Sequence, residues 1–119
     1  MKATELRIGN YLYYKNTNDL AIVELIHKKH FDCRDEYGSF SPNGNYEPIP
    51  LTEEWLLKLG FDKKFSKDKF TIIPNGKLDY EKGRTYFNAW TILEHQPEYV
   101  HQLQNLYFAL TGEELSYEQ

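Results

Sequence analysis

The chain has 119 residues, 40% of them hydrophobic and 27% charged, with a formal net charge of −4 and one cysteine. That length predicts a single domain with a modest core, and the lone Cys33 excludes an intrachain disulfide or a cysteine-built zinc cluster. No stretch of about 18 uncharged apolar residues occurs, and MKATELRIGN holds no apolar leader core, so neither membrane span nor signal peptide is expected and the cytoplasm is the expected compartment.

Leu6, Ile8 and Tyr11 to Tyr14 form a β-rich run broken by Gly9-Asn10, and Tyr11 to Lys15 is predicted as the first strand. Asn16 to Asp19 is a turn cluster. Leu20 to His27 could be a helix capped by Asp19, but its Ile and Val content and the preceding turn favour a second strand in a hairpin. Its two faces would be Leu20/Ile22/Glu24/Ile26 and Ala21/Val23/Leu25/His27. Phe31 to Arg34 alternates apolar and polar and predicts a third strand, while Asp35 to Tyr46 predicts a loop with Asn43-Gly44 as its tightest turn.

Glu47 to Leu51 must be extended, because Pro48 and Pro50 each disfavour helix in the preceding residue. Thr52 caps a short helix over Glu53 to Leu59, with acids in its first turn and Gly60 as its stop. Phe61 to Asp68 is a basic connector, Phe70 to Ile73 and Leu78 to Tyr80 are strands joined at Pro74-Asn75-Gly76, and Glu81-Lys82-Gly83 is a further turn. Arg84 to Leu93 is the longest strand candidate, apolar on both faces and expected at the centre of its sheet.

The clearest element is the C-terminal helix within Glu98 to Leu115. Tyr99, Val100, Leu103, Leu106, Tyr107 and Leu110 share one stripe at helical spacing, while Gln102, Gln104 and Asn105 fall elsewhere. Pro97 suits its first turn, Gly112 its C-terminal stop, and Leu115 a fold back onto the last turn. The expected fold is α+β: a small SH3-like strand cluster, a helix, a three-stranded antiparallel meander and a C-terminal amphipathic helix. A strand-rich half, 1–51, and a helix–meander–helix half, 52–119, would be braced by that helix.

Charge is unevenly distributed. Residues 1–57 hold 6 Lys/Arg against 9 Asp/Glu, residues 58–84 hold 8 against 4, and residues 85–119 hold none against 5. The basic segment 58–86 interleaves Lys58, Lys63, Lys64, Lys67, Lys69, Lys77, Lys82 and Arg84 with Phe61, Phe65, Phe70, Tyr80 and Tyr86. Cations with stackable rings suit a single-stranded nucleic acid, so Lys63, Lys64, Lys67, Lys69, Lys82, Arg84, Phe65 and Tyr80 are the candidate binding residues; a solvated basic face is the plainer reading. Tyr, Phe and Trp make 16% of the chain, enough that some rings are expected on display at a protein interface.

Catalytic and metal constellations are not expected. His27 and His30 flank two lysines and, at a strand end, would point to opposite faces; His95 and His101 read as surface or capping residues. Cys33 lacks an identifiable base and orienting group, and the adjacent carboxylates of Glu53/Glu54 and Glu113/Glu114 diverge on a helix rather than bracket a bond. Gly38 to Gly44 has neither a phosphate-loop nor a dinucleotide pattern. No cofactor is expected.

Three phrases resemble a family of small, largely uncharacterised proteins encoded by bacteriophages and prophages: Glu5 to Asn10 (ELRIGN), Pro48 to Phe61 (PIPLTEEWLLKLGF) and Tyr99 to Leu115 (YVHQLQNLYFALTGEEL). The resemblance covers 37 residues and implies a phage-related origin with action inside the bacterial host, but supplies no catalytic residues. The intervening segments are where partner specificity is expected. The expected function is non-enzymatic binding of a host protein or ribonucleoprotein, with inhibition of host defence of the anti-CRISPR kind as the specific form. The alternative is an RNA- or single-stranded-nucleic-acid-binding module using segment 58–86.

Overall fold

The computed structural model describes residues 5–41, 45–62, 69–72, 78–81, 84–87, 91–92 and 96–115. The fold is α+β, with antiparallel sheets and a C-terminal helix. Contacts divide the chain into two compact units: Met1–Pro50 with Tyr99–Asn105, and Leu51–Glu98 with Leu106–Gln119.

In the first unit, strands β1 (Tyr11–Tyr14), β2 (Leu20–Ile26), β3 (Phe31–Asp35), β4 (Phe40–Ser41) and β5 (Tyr46–Pro48) form an antiparallel sheet in the order β4-β3-β2-β1-β5. The β1–β2 hairpin follows from its turn residues. Asn16 accepts a left-handed backbone at φ +66°, and the Thr17 hydroxyl donates to the Tyr14 carbonyl at 2.8 Å while accepting from the Asp19 amide at 3.1 Å. With that turn set, Leu20–Ile26 is a strand and the helical alternative falls away. Leu6, Leu12, Ala21, Val23 and Cys33 form the core, with Tyr14, Phe31 and Tyr46 packed against it.

Two corrections follow here. The expected loop over Asp35–Tyr46 contains β4 and leads into β5 at Tyr46, strands too short to leave a periodic signature; Asn43-Gly44 lies outside the described residues. The expected alternation of β2 also breaks. Val23 pairs with Cys33 but Leu25 with Asp32, so Glu24 is an extra residue in a bulge, and Leu25 is exposed instead of sharing the buried face of Ala21 and Val23.

The second unit begins with α1 (Glu53–Lys58). The Thr52 hydroxyl accepts from the Trp55 amide at 3.3 Å, Glu53 and Glu54 occupy the first turn, and Gly60 takes φ +97° just past the end. The helix buries Trp55 and Leu56, and Leu59 at its C-cap is buried as well. Strands β6 (Phe61–Asp62), β7 (Lys69–Ile72), β8 (Leu78–Glu81), β9 (Arg84–Phe87) and β10 (Thr91–Ile92) form a five-stranded antiparallel meander in chain order. The expected meander of three strands is thus too small. Phe61, assigned to a connector, pairs with Ile72; the single long strand expected over Arg84–Leu93 is two, with Thr91 paired back on Phe87 and Ile92 on Tyr86. An apolar run on both faces does not distinguish one long strand from two short ones, and Asn88 is the sole conventional turn former in it.

The C-terminal helix α2 spans Val100–Thr111, shorter at its start than the sequence pattern implied. Just ahead of it Tyr99 bridges Pro50, the Leu51 amide donates to the Glu98 carbonyl at 3.0 Å, and the amide of Val100, the first helical residue, donates to the Ile49 carbonyl at 2.9 Å. These pairings absorb backbone groups that a helix beginning at Pro97 would have used, and the Gln102 side chain caps the new start by accepting from the Tyr99 amide at 3.1 Å. Gly112 ends the helix at φ +77°. Val100, Leu103 and Tyr107 are buried as the periodicity requires, but Leu106 and Leu110 are half-buried, and His101 and Gln104 are each 2% exposed.

Gln104 shows why a polar residue occupies that face. Its Oε1 accepts from the Tyr11 amide at 2.8 Å and its Nε2 donates to the Gly9 carbonyl at 3.2 Å. Beside it, Asn105 donates to the Glu5 carbonyl and accepts from the Asn10 side chain, both at 2.9 Å, and Asn10 in turn accepts from the Arg7 amide at 2.7 Å. Residues 5–11 lack ladder partners for these groups, and the two helix amides supply them.

Candidate functional site

The sequence-selected basic segment is only partly within the described residues. Lys63, Lys64, Phe65, Lys67 and Lys82 lie outside them. Lys69 opens β7 and Arg84 opens β9, and both stand in register with Glu81 of β8, so the row holds a carboxylate position between its two cationic ones. Tyr80, in register with Phe70 and Thr85, is half-buried, and burial raises its hydroxyl pKa. Phe61 and Phe70, read as stackable rings, are buried and give no face to a base.

Cys33 is fully buried, and its thiol is pushed up to about 12 by burial and by the neighbouring Asp32, against the opposing effect of its hydrogen bond with Tyr46. Tyr46 is likewise pushed up to about 12, first by burial. At neutral pH both are protonated. Cys33 behaves as a small core residue, not as a nucleophile. Among the described residues no group of three or more His, Cys, Asp and Glu converges on a metal-sized site.

The arrangement that sequence reasoning missed is the tip of the β2–β3 hairpin. The His27 amide donates to the His30 carbonyl at 2.7 Å, closing a turn over Lys28-Lys29. His27 and His30 are therefore neighbours across the turn, and their imidazoles stack with centroids 4.2 Å apart, which corrects the expectation that they diverge. His27 Nε2 lies 3.2 Å from Asp32 Oδ2, and Arg34 Nε donates to Glu24 Oε2 at 2.9 Å. Beyond the Glu24 bulge, Leu25 is 45% and Ile26 39% exposed, and Lys28 and Lys29 are exposed at the turn itself. The signal lay in the sequence as two aliphatic residues followed by His-Lys-Lys-His; a bulge hid it, because regular alternation would have buried Leu25.

In comparison with known proteins, the chain matches no family model, no curated protein and no solved structure.

Proposed function

We propose that the chain is a non-enzymatic binding protein of the phage or prophage type, acting on a host protein or ribonucleoprotein, and that its specific activity is inhibition of an RNA-guided host defence. The observation that carries this reading is the hairpin tip, where exposed Leu25 and Ile26 adjoin uncovered lysines on a strand pair fixed by a packed core. An apolar centre with a polar rim is the usual composition of a protein-binding patch. The tip also falls between the head and central phrases that resemble the phage family, in a segment expected to vary with the partner. The head and tail phrases are hydrogen-bonded to each other through Asn10, Gln104 and Asn105, as a shared frame would be. An SH3-like strand cluster in the first unit is part of this proposal.

Phage survival on hosts carrying or lacking RNA-guided immunity tests the reading. Expression of the protein should raise survival only on the immune host, and equal survival with and without it would refute the defence-inhibitor reading. Nucleic-acid binding through segment 58–86 has less support, because Phe61 and Phe70 are buried and Tyr80 half-buried. That alternative requires affinity for single-stranded RNA that falls steeply with salt.

A further inference from the structure

We infer that the β2–β3 hairpin tip docks on an acidic protein segment bearing aliphatic side chains, an inference that rests on the binding-protein reading and names the chemistry of its partner. The local charge balance supplies the reason. Both carboxylates near the tip are engaged, Glu24 by Arg34 at 2.9 Å and Asp32 by His27 at 3.2 Å. Lys28 and Lys29 make no ion pair among the described residues. The tip is thus a locally cationic point on a chain whose net charge is −4, a distribution that orients approach toward a negative partner through this end.

The apolar side chains decide which negative partner fits. Leu25 and Ile26 are branched aliphatics, which pack against other aliphatics and make poor platforms for bases. The two imidazoles at the tip already stack on each other. Two lysines neutralise few phosphates, so the tip offers a nucleic-acid backbone little counter-charge. An acidic peptide with leucine-like side chains meets both features at once, its carboxylates reaching the lysines while its apolar groups cover the exposed Leu25 and Ile26.

The test uses the full chain with fluorescent synthetic peptides that share a leucine centre and differ in flanks of aspartate, serine or lysine, together with single-stranded oligonucleotides. Anisotropy should show binding to the aspartate-flanked peptide, weaker by at least about tenfold in the double variants Lys28→Glu/Lys29→Glu and Leu25→Ser/Ile26→Ser. Because all four side chains are exposed, both variants should melt like the parent. Binding indifferent to aspartate, binding retained in both variants, no peptide binding, or preference for the oligonucleotides would each overturn the inference. So would a dimer in sedimentation that the same variants dissociate, which would make a second copy the occupant. Phage survival separates this from failure of the parent reading: if protection by Lys28→Glu/Lys29→Glu equals that by the parent, the tip is not the docking face although the protein still inhibits defence.

Discussion

Replacing Gln104 by alanine removes a side chain that is 2% exposed and holds two backbone groups of the ELRIGN-Tyr segment. The Tyr11 amide loses its acceptor at 2.8 Å, and the Gly9 carbonyl its donor at 3.2 Å. Leaving a buried polar group unsatisfied costs about 1–3 kcal/mol. The Gly9 contact is partly buried, so water can replace that donor, and the Tyr11 amide sets most of the penalty. Truncation also removes one buried methylene worth about 0.8 kcal/mol. The expected loss is about 2–4 kcal/mol, a large share of the roughly 5–15 kcal/mol that stabilises a domain of this size. Urea unfolding followed by circular dichroism should show the midpoint shift, and Gln104→Glu, which keeps the Oε1 acceptor but puts a carboxylate oxygen against the Gly9 carbonyl, should also destabilise. A Gln104→Ala midpoint within error of the parent would refute the claim that this amide holds the first strand to the helix.

Three further outcomes follow from the same packing. Leu103→Ala, at a fully buried position, should lose about 2–5 kcal/mol in the same unfolding assay, and Leu106→Ala, half-buried, distinctly less. His101 is buried against the ring of Tyr99, and among the described residues neither of its nitrogens has a hydrogen-bond partner; burial lowers its pKa below 6.5, with nearby Glu5 opposing in part. The unfolded chain therefore binds the proton more readily, so the His101 contribution is intact above about pH 6.5 and is lost as pH falls through the lower folded-state value. His101→Phe should accordingly melt with a shallower dependence on pH between about pH 7 and pH 5 than the parent, and an unchanged slope would contradict the buried neutral imidazole. Cys33 should resist alkylation at neutral pH in the native protein and react at once in denaturant, as a mass shift after iodoacetamide would show; rapid native labelling would contradict a thiol pushed up to about 12 by burial.

Much of the architecture was legible because local chemistry and tertiary structure agree at particular residues. Thr52 and Gly60 bracket α1, Gly112 ends α2, and Asn16 to Asp19 turn β1 into β2, each for a reason contained within a few residues. What was not legible depended on partners distant in sequence. The start of α2 moved to Val100 because Glu98–Val100 pair with Ile49–Leu51, and Gln104 could be placed only off the apolar stripe because nothing near it in the chain announces unpaired groups at Gly9 and Tyr11. The candidate site was obscured in the same way. A pattern of cations and rings drew attention to segment 58–86, where Phe61 and Phe70 are core residues, whereas Leu25 is exposed beside Ile26 because Glu24 breaks the register with β3. Bulges leave little trace in hydrophobic periodicity, and they redirect the side chains that follow them.

The central claim is that the β2–β3 tip engages a host protein. It is tested most directly by photo-cross-linking during infection, with a benzophenone amino acid in place of Ile26 and the adducts mapped by mass spectrometry. The account predicts one dominant adduct on a host protein, within an acidic segment containing aliphatic residues, and its loss when Lys28 and Lys29 are both changed to glutamate. Adducts on RNA, on a second copy of the chain, or at no reproducible site would contradict it.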